Sequence, residues 1–104
     1  MVGELAILRI YLNESDRYKG DSFYHFIIST AKDMGIKGGT VYRGIEGFGK
    51  HQAIHSSKLE VLAHNLPIVV ELIDENEKIR KLGEKIKGFE KEAFIIMIPN
   101  VEMI

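Results

Sequence analysis

The chain has 104 residues, 45% apolar and 28% charged, enough for one core and ordinary for a globular domain. Its formal charge of -1, from 14 basic and 15 acidic residues, lacks the basic footprint of a dedicated nucleic-acid binder. The absence of cysteine excludes disulfides, thiolate chemistry and Cys-ligated zinc.

No apolar run approaches the roughly 18 residues of a membrane span, so the chain is not expected to insert in a bilayer. Met1 to Leu12 has neither a basic start nor a cleavage site, and the expected location is the cytoplasm. A single Gln, no Cys and many Lys and Glu lean towards a heat-stable protein.

Glu4 to Leu12 reads as a strand. Leu5, Ile7 and Tyr11, with Arg9 among them, point one way, and Ala6, Leu8, Ile10 and Leu12 the other. Asn13 to Gly20 is polar and reads as a loop. A helix is expected from Asp21 or Ser22, either of which can cap exposed amides. Its inward stripe is Phe23, Phe26, Ile27, Thr30, Ala31 and Met34, and Gly35 follows as a C-cap. Gly38 and Gly39 connect to a second strand, Thr40 to Phe48.

Lys50 to Ser57 has no clean period and is expected to be a mobile connection, part of which can extend the strands into a hairpin. Lys58 to His64 fits either period and is read as extended chain. Pro67 opens a third strand, Ile68 to Ile73, apolar on both faces except for Glu71. Asp74-Glu75-Asn76-Glu77 has the spacing of a capping box. Ile79, Leu82 and Ile86 form the inward stripe of the helix that follows, Gly83 costs it roughly 1 kcal/mol relative to alanine, and Gly88 ends it. Ala93 to Ile98 is the fourth strand, which Pro99 is expected to stop.

The order β-α-β-β-α-β predicts an α+β split βαβ or ferredoxin-like sandwich over residues 1–104, one antiparallel sheet with two helices on one face. Such a sheet normally alternates apolar with polar, because one face meets water. These strands are apolar on both faces. Extended apolar patches are seldom left exposed, so the second face is expected to be buried between subunits of a homo-oligomer.

The opening LRIYLNESDRYKG, the central GTVYRGIEGFG, His55 and the LPIVVELID block resemble the DUF190 (UPF0166) family, over essentially the whole chain. Members of that family look like trimeric relatives of the nitrogen-regulatory PII signalling proteins. Gly47-Phe48-Gly49, the segment Lys50 to His64 and Leu66-Pro67 are similar to the PII layout of a strand end, a long loop and a third strand.

The resemblance implies a homotrimer that binds adenine nucleotide in clefts between subunits. One wall of the cleft would be Gly39, Thr40, Gly47, Phe48, Gly49 and Lys50, with Gly88 and Lys91 across the interface. No cofactor beyond such a nucleotide is implied. Two features depart from PII. Ile86-Lys87-Gly88-Phe89-Glu90-Lys91-Glu92 has one glycine and two acids where PII has a glycine-rich phosphate loop, and no arginine follows the fourth strand. The Lys50 to His64 segment also lacks the tyrosine that some PII proteins modify.

Read from chemistry alone, Lys50, Lys87 and Lys91 can meet phosphate oxygens, and Gly47 and Gly49 can offer amides to an anion. The bland alternatives are solvated lysines and a strand-end turn. Lys78 to Lys91 holds six Lys/Arg against two Glu, a solvated helix face or else an anionic-ligand rim. His51 and His55 are spaced i, i+4, the sole handle for a metal; His25 and His64 receive no role. Arg43 and Glu46 read as interface partners, and Glu71 needs a partner if buried.

No nucleophile elbow, Walker A or dinucleotide fingerprint is present, and Ser56 and Ser57 beside His55 do not make a triad, so no enzymatic activity is expected. The leading expectation is a regulatory protein whose ligand orders the Lys50 to His64 loop for an unidentified protein partner. A metal-handling trimer resembling CutA proteins is the alternative. A ligand-independent accessory subunit of a membrane transporter or channel is a further one, since relatives resembling this domain occur beside channels.

Overall fold

The periodicities resolve into a layer of two helices over a four-stranded sheet in a computed structural model that describes residues 4–49, 55–56, 65–91 and 93–104. In chain order the elements are β1 (Leu5–Asn13), β2 (Arg17–Tyr18), β3 (Asp21–Ser22), α1 (Phe23–Asp33), β4 (Gly38–Arg43), β5 (Glu46–Gly47), β6 (His55–Ser56), β7 (Pro67–Glu75), α2 (Asn76–Phe89) and β8 (Phe94–Val101). The main sheet has the order β4-β7-β1-β8 with every neighbouring pair antiparallel, so the expected α+β ferredoxin-like sandwich is the observed fold.

Register sorts the side chains. Leu8 lies opposite Leu72 and Met97, and Ile10 opposite Val70 and Ile95, on the face that the helices cover. Phe23, Ile27 and Ala31 of α1 and Ile79, Leu82 and Ile86 of α2 close over them, forming one continuous core. Each fully buried aliphatic side chain there contributes about 1.5–3 kcal/mol relative to exposure. The i, i+3/i+4 stripes read from sequence are thus the packed faces of both helices.

Gly35, at φ +75°, ends α1 in a Schellman arrangement: its amide donates to Lys32 O and that of Ile36 to Ala31 O, both at 3.0 Å. Gly83 lets α2 sit close on the sheet, since a Cβ there would come within 3.1 Å of Leu8 Cδ1.

Several expectations are corrected. Neither helix has a side-chain N-cap. Ser22 Oγ accepts from Arg17 at 3.4 Å, and Asp21 Oδ1 accepts from the neighbouring Ser22 amide at 2.8 Å. Asp74, 3% exposed, does not close a capping box. It sits one residue too early, inside β7, and its carboxylate accepts from the amides of Lys37 (2.8 Å) and Glu75 (2.6 Å), tying the α1–β4 connection to the sheet.

The second strand stops at Arg43: the Gly44 amide still donates to Pro67 O at 2.7 Å, but Pro67 has no amide to return the bond, and pairing resumes as a β5–β6 ribbon with Gly47 opposite His55. A hairpin extension was among the sequence expectations. Lys58 to His64 lies outside the described residues. Pro99 does not stop the last strand. β8 is an edge strand, and a bulge between its pairings Ile7–Ile98 and Leu5–Val101 absorbs the proline, with Asn100 at φ +58°. Finally, the polar loop after β1 contains an unforeseen ribbon. Lys19 (φ +50°) and Gly20 (φ +83°) supply the two positive φ angles of a tight β2–β3 turn.

Candidate functional site

The sheet face opposite the helices is built by the alternate residues of the same strands. Ile7, Arg9 and Tyr11 of β1 lie opposite Ile73, Glu71 and Val69 of β7, and opposite Ile98, Ile96 and Phe94 of β8. Thr40 and Tyr42 of β4 complete the row beside Glu71 and Val69. Tyr11, Tyr42 and Phe94 remain 39%, 48% and 59% exposed.

At the centre of this face, Glu71 has the partner that its apolar setting requires. Arg9 donates to its Oε2 from Nε (3.0 Å) and Nη2 (2.8 Å), and Tyr42 Oη donates to its Oε1 at 3.2 Å. The hydrogen bonds to Glu71 hold the Arg9 guanidinium above its already high ordinary value, so its positive charge is secure on this face. Arg43, read as an interface partner, pairs within the chain with Glu14 and stays exposed.

The described residues of the expected first wall lie along and beyond the β4 edge of the sheet. Gly39 belongs to β4, not to the preceding connection, and faces the helix layer. A Cβ there would meet Leu72 Cδ2 at 2.8 Å and Ile28 Cδ1 at 3.3 Å, so close packing suffices to explain the glycine. Thr40 is exposed on the open face. Gly47 packs on Pro67, whose Cγ would lie 3.1 Å from an added Cβ; Gly44 meets the Pro67 Cβ at 3.3 Å in the same way.

Phe48 is 73% exposed, and an added Cβ at Gly49 would meet nothing within 4 Å. Thr40 precedes Gly44 by four residues, roughly 13 Å of strand. Lys50 lies outside the described residues.

The second wall follows α2. Gly88, in its last turn, borders open space, and Lys91 is exposed. Lys87 Nζ donates to Ala93 O at 2.7 Å and ties the helix end to the residue before β8.

Phe94, the first residue of β8, lies opposite Tyr11, which lies opposite Val69 and, one strand further, Tyr42. The α2–β8 turn and the Gly44–Gly49 stem therefore share one end of the sheet but occupy opposite edges. They are three strand spacings, about 14 Å, apart. A single chain does not bring the two walls together.

Nor do the described residues gather a metal site: no three His, Asp or Glu side chains among them converge. His55 is extended in β6, so it is not on a helix with His51, which is outside the described residues. No described helix is long and apolar enough to cross a membrane.

Two contacts were not foreseen. Tyr18 stacks on the α1 and α2 ends, and Glu14 holds the stem. The Lys19-Gly20 doublet between Arg17-Tyr18 and Asp21-Ser22 is the signal that would have revealed the first.

Comparison with known proteins agrees with this architecture. A PII-like protein named CPII from Thiomonas intermedia K12, described in complex with ADP, AMP and bicarbonate, superposes with a TM-score of 0.65 at 19% identity, over 95% of this chain and 90% of its own. The divalent ion tolerance protein CutA1 of Ehrlichia chaffeensis superposes with a TM-score of 0.65 at 15% identity, over 100% and 87%. At such identities both establish the fold.

Sequence likeness is much closer to a UPF0166 protein of Aquifex aeolicus, 43% identical over 94% of this chain and 91% of that protein. The family model of DUF190, described as Uncharacterized ACR, matches residues 5–103. With that span running from the first residue of β1 to beyond the last of β8, the chain belongs to the DUF190 family.

Proposed function

We propose that this protein is a non-enzymatic, PII-like regulatory protein that binds a small anionic metabolite or adenine nucleotide in clefts between its subunits. One observation carries the reading: the two candidate walls lie at the same end of the sheet on opposite edges, so a second copy can supply the wall that each one lacks. The open apolar face supports association, because its central charges are already paired and a surface of this kind favours burial. Phe48, Gly49 and Thr40 would line one side, and Gly88 and Lys91 the other, with Lys91 as the charge-assisted partner of an anionic oxygen. The ADP, AMP and bicarbonate bound by the Thiomonas protein set the ligand classes to try first.

The test is a thermal-shift and calorimetric screen with ATP, ADP, AMP, cyclic nucleotides, citrate, bicarbonate, Zn²⁺ and Cu²⁺. Saturable binding at a hundred times Kd would stabilise the folded protein by about 2.7 kcal/mol. A nucleotide or bicarbonate response near one per subunit, weakened in Lys91→Gln, is expected. A response to metal alone, lost in His55→Ala, would replace this reading with a metal-binding one. Silence across the panel would defeat it and favour an accessory subunit waiting for a protein partner.

A further inference from the structure

The chain between β1 and α1 touches both edges of the site. At one end, the Glu14 amide donates to Leu66 O at 2.8 Å, and the Glu14 carboxylate accepts from the Leu66 amide (3.3 Å) and from Arg43. Ser15 donates to Asn65 Oδ1 from both its amide (3.2 Å) and its hydroxyl (2.7 Å). These bonds grip the two legs of the stem, Arg43 on the way out and Asn65-Leu66 on the way back. At the other end of the same connector, the Tyr18 ring lies 4.4 Å from Phe26 and 5.1 Å from Phe89, with Phe26 and Phe89 5.0 Å apart, all between ring centroids. Phe89 is the last residue of α2, two before Lys91.

The connector itself is braced. The Asn13 amide donates to Asp16 Oδ2 (2.9 Å), Asp16 N to Asn13 O (3.1 Å) and Phe23 N to Asp16 O (2.8 Å). Ring contacts of this kind stabilise beyond the area they bury. Braced at Asp16 and fixed at both ends, the segment spans the edges as one body and not as a slack loop.

We infer that the connector Asn13–Ser22 is a positioning element for both walls, with Glu14 and Ser15 setting the two stem legs at Arg43 and at Asn65-Leu66, and Tyr18 setting the α2–β8 turn through Phe89. Its bearing on ligand binding rests on the function proposed above; its mechanical content does not. A disturbance of Tyr18 should then be felt at the stem, on the far edge of the sheet. Spatial adjacency alone does not establish such coupling, so the readout must be distant from the change.

The experiment is amide hydrogen exchange on the whole protein carrying Tyr18→Leu or Tyr18→Phe, without ligand. In Tyr18→Leu, the Glu90 and Ala93 amides, bonded to Ile86 O and Glu90 O, should exchange about tenfold faster, and those of Gly44 and Leu66 at least about threefold faster. Val70 and Ile10 in the centre of the sheet should keep their rates, and Tyr18→Phe should match the parent. Acceleration confined to the turn would overturn the inference, as would an equal acceleration everywhere, which marks simple loss of stability.

If Tyr18→Leu does not fold, Glu14→Ala asks the same question from the other end. Faster exchange at Glu90 and Ala93 supports the inference, and unchanged rates there reject it. Titration of ATP, ADP, AMP, cyclic nucleotides, citrate and bicarbonate into the parent protein runs beside this. No binding would sink the proposed function, while the exchange pattern still decides the role of the connector.

Discussion

On the helix-covered face of the sheet, Ala6, Ile10 and Val70 have no exposed surface, whereas on the opposite face Tyr11, Tyr42 and Phe94 keep between 39% and 59% of theirs. The same four strands build both faces, and their composition barely differs. What differs is the treatment of polar groups. The covered face admits Asp74 only with two backbone amides on its carboxylate and Lys78 Nζ 3.8 Å away. The open face places Arg9, Glu71 and Tyr42 at its centre, already bonded to one another. Removing water costs a group least when its partners are in place beforehand. The open face is thus prepared for burial in the manner of the covered one; in the proposed assembly the two would differ in whether the covering layer comes from the same chain.

The sharpest way to break that comparison is Ile98→Asp, which places a carboxylate on the open face beside Ile7. The proposed assembly predicts complete conversion to monomer at micromolar concentration, read by light scattering on a sizing column. An unaltered mass would show that this face takes no part. Leu82→Ala, under the helices, should cost about 2–5 kcal/mol in urea unfolding without changing the subunit count at matched folded concentration.

Gly39→Ala tests the edge between the two faces. With Leu72 Cδ2 2.8 Å from the new methyl, a loss of about 1–3 kcal/mol is expected, and a neutral result would return Gly39 to the list of residues held for binding. The smallest effect belongs to Gly83→Ala, where up to about 1 kcal/mol of helix propensity opposes the 3.1 Å approach to Leu8 Cδ1. A net change within about 1 kcal/mol is expected by the same unfolding assay.

The fold was legible because its signals are local and repeated. Ile79, Leu82 and Ile86 announce one helix face, and the apolar run of Leu5 to Leu12 announces a strand inside the sheet. Features that depend on a distant neighbour were not. Asp74 and Glu77 have capping-box spacing, yet Asp74 is claimed by Lys37, which is close only after α1 has packed. Gly47 reads as a strand-end turn or an anion-binding residue, whereas its glycine character, like that of Gly44 within the expected strand, answers to Pro67, twenty residues or more away in sequence.

The candidate site was less legible still, for a physical reason. Thr40 and Lys91 lie on opposite edges of one sheet, so no pattern within a single chain records how close they come in an assembly. Tyr18 was missed because its role is set by Phe26 and Phe89, each from a different helix.

The end of β8 has a consequence for life in a crowded solution. An edge strand offers a row of free amides and carbonyls to any passing extended chain. Here Pro99 has no amide to offer, and Asn100, turned left-handed at φ +58°, interrupts the row at the next position. An uninterrupted template for unwanted strand addition is left only over Phe94 to Ile98, five residues, about the length of an average strand. The bulge thus rations how far a misfolded neighbour could zip onto the sheet, and Pro99→Val would be expected to lengthen that run and raise the tendency to form fibres.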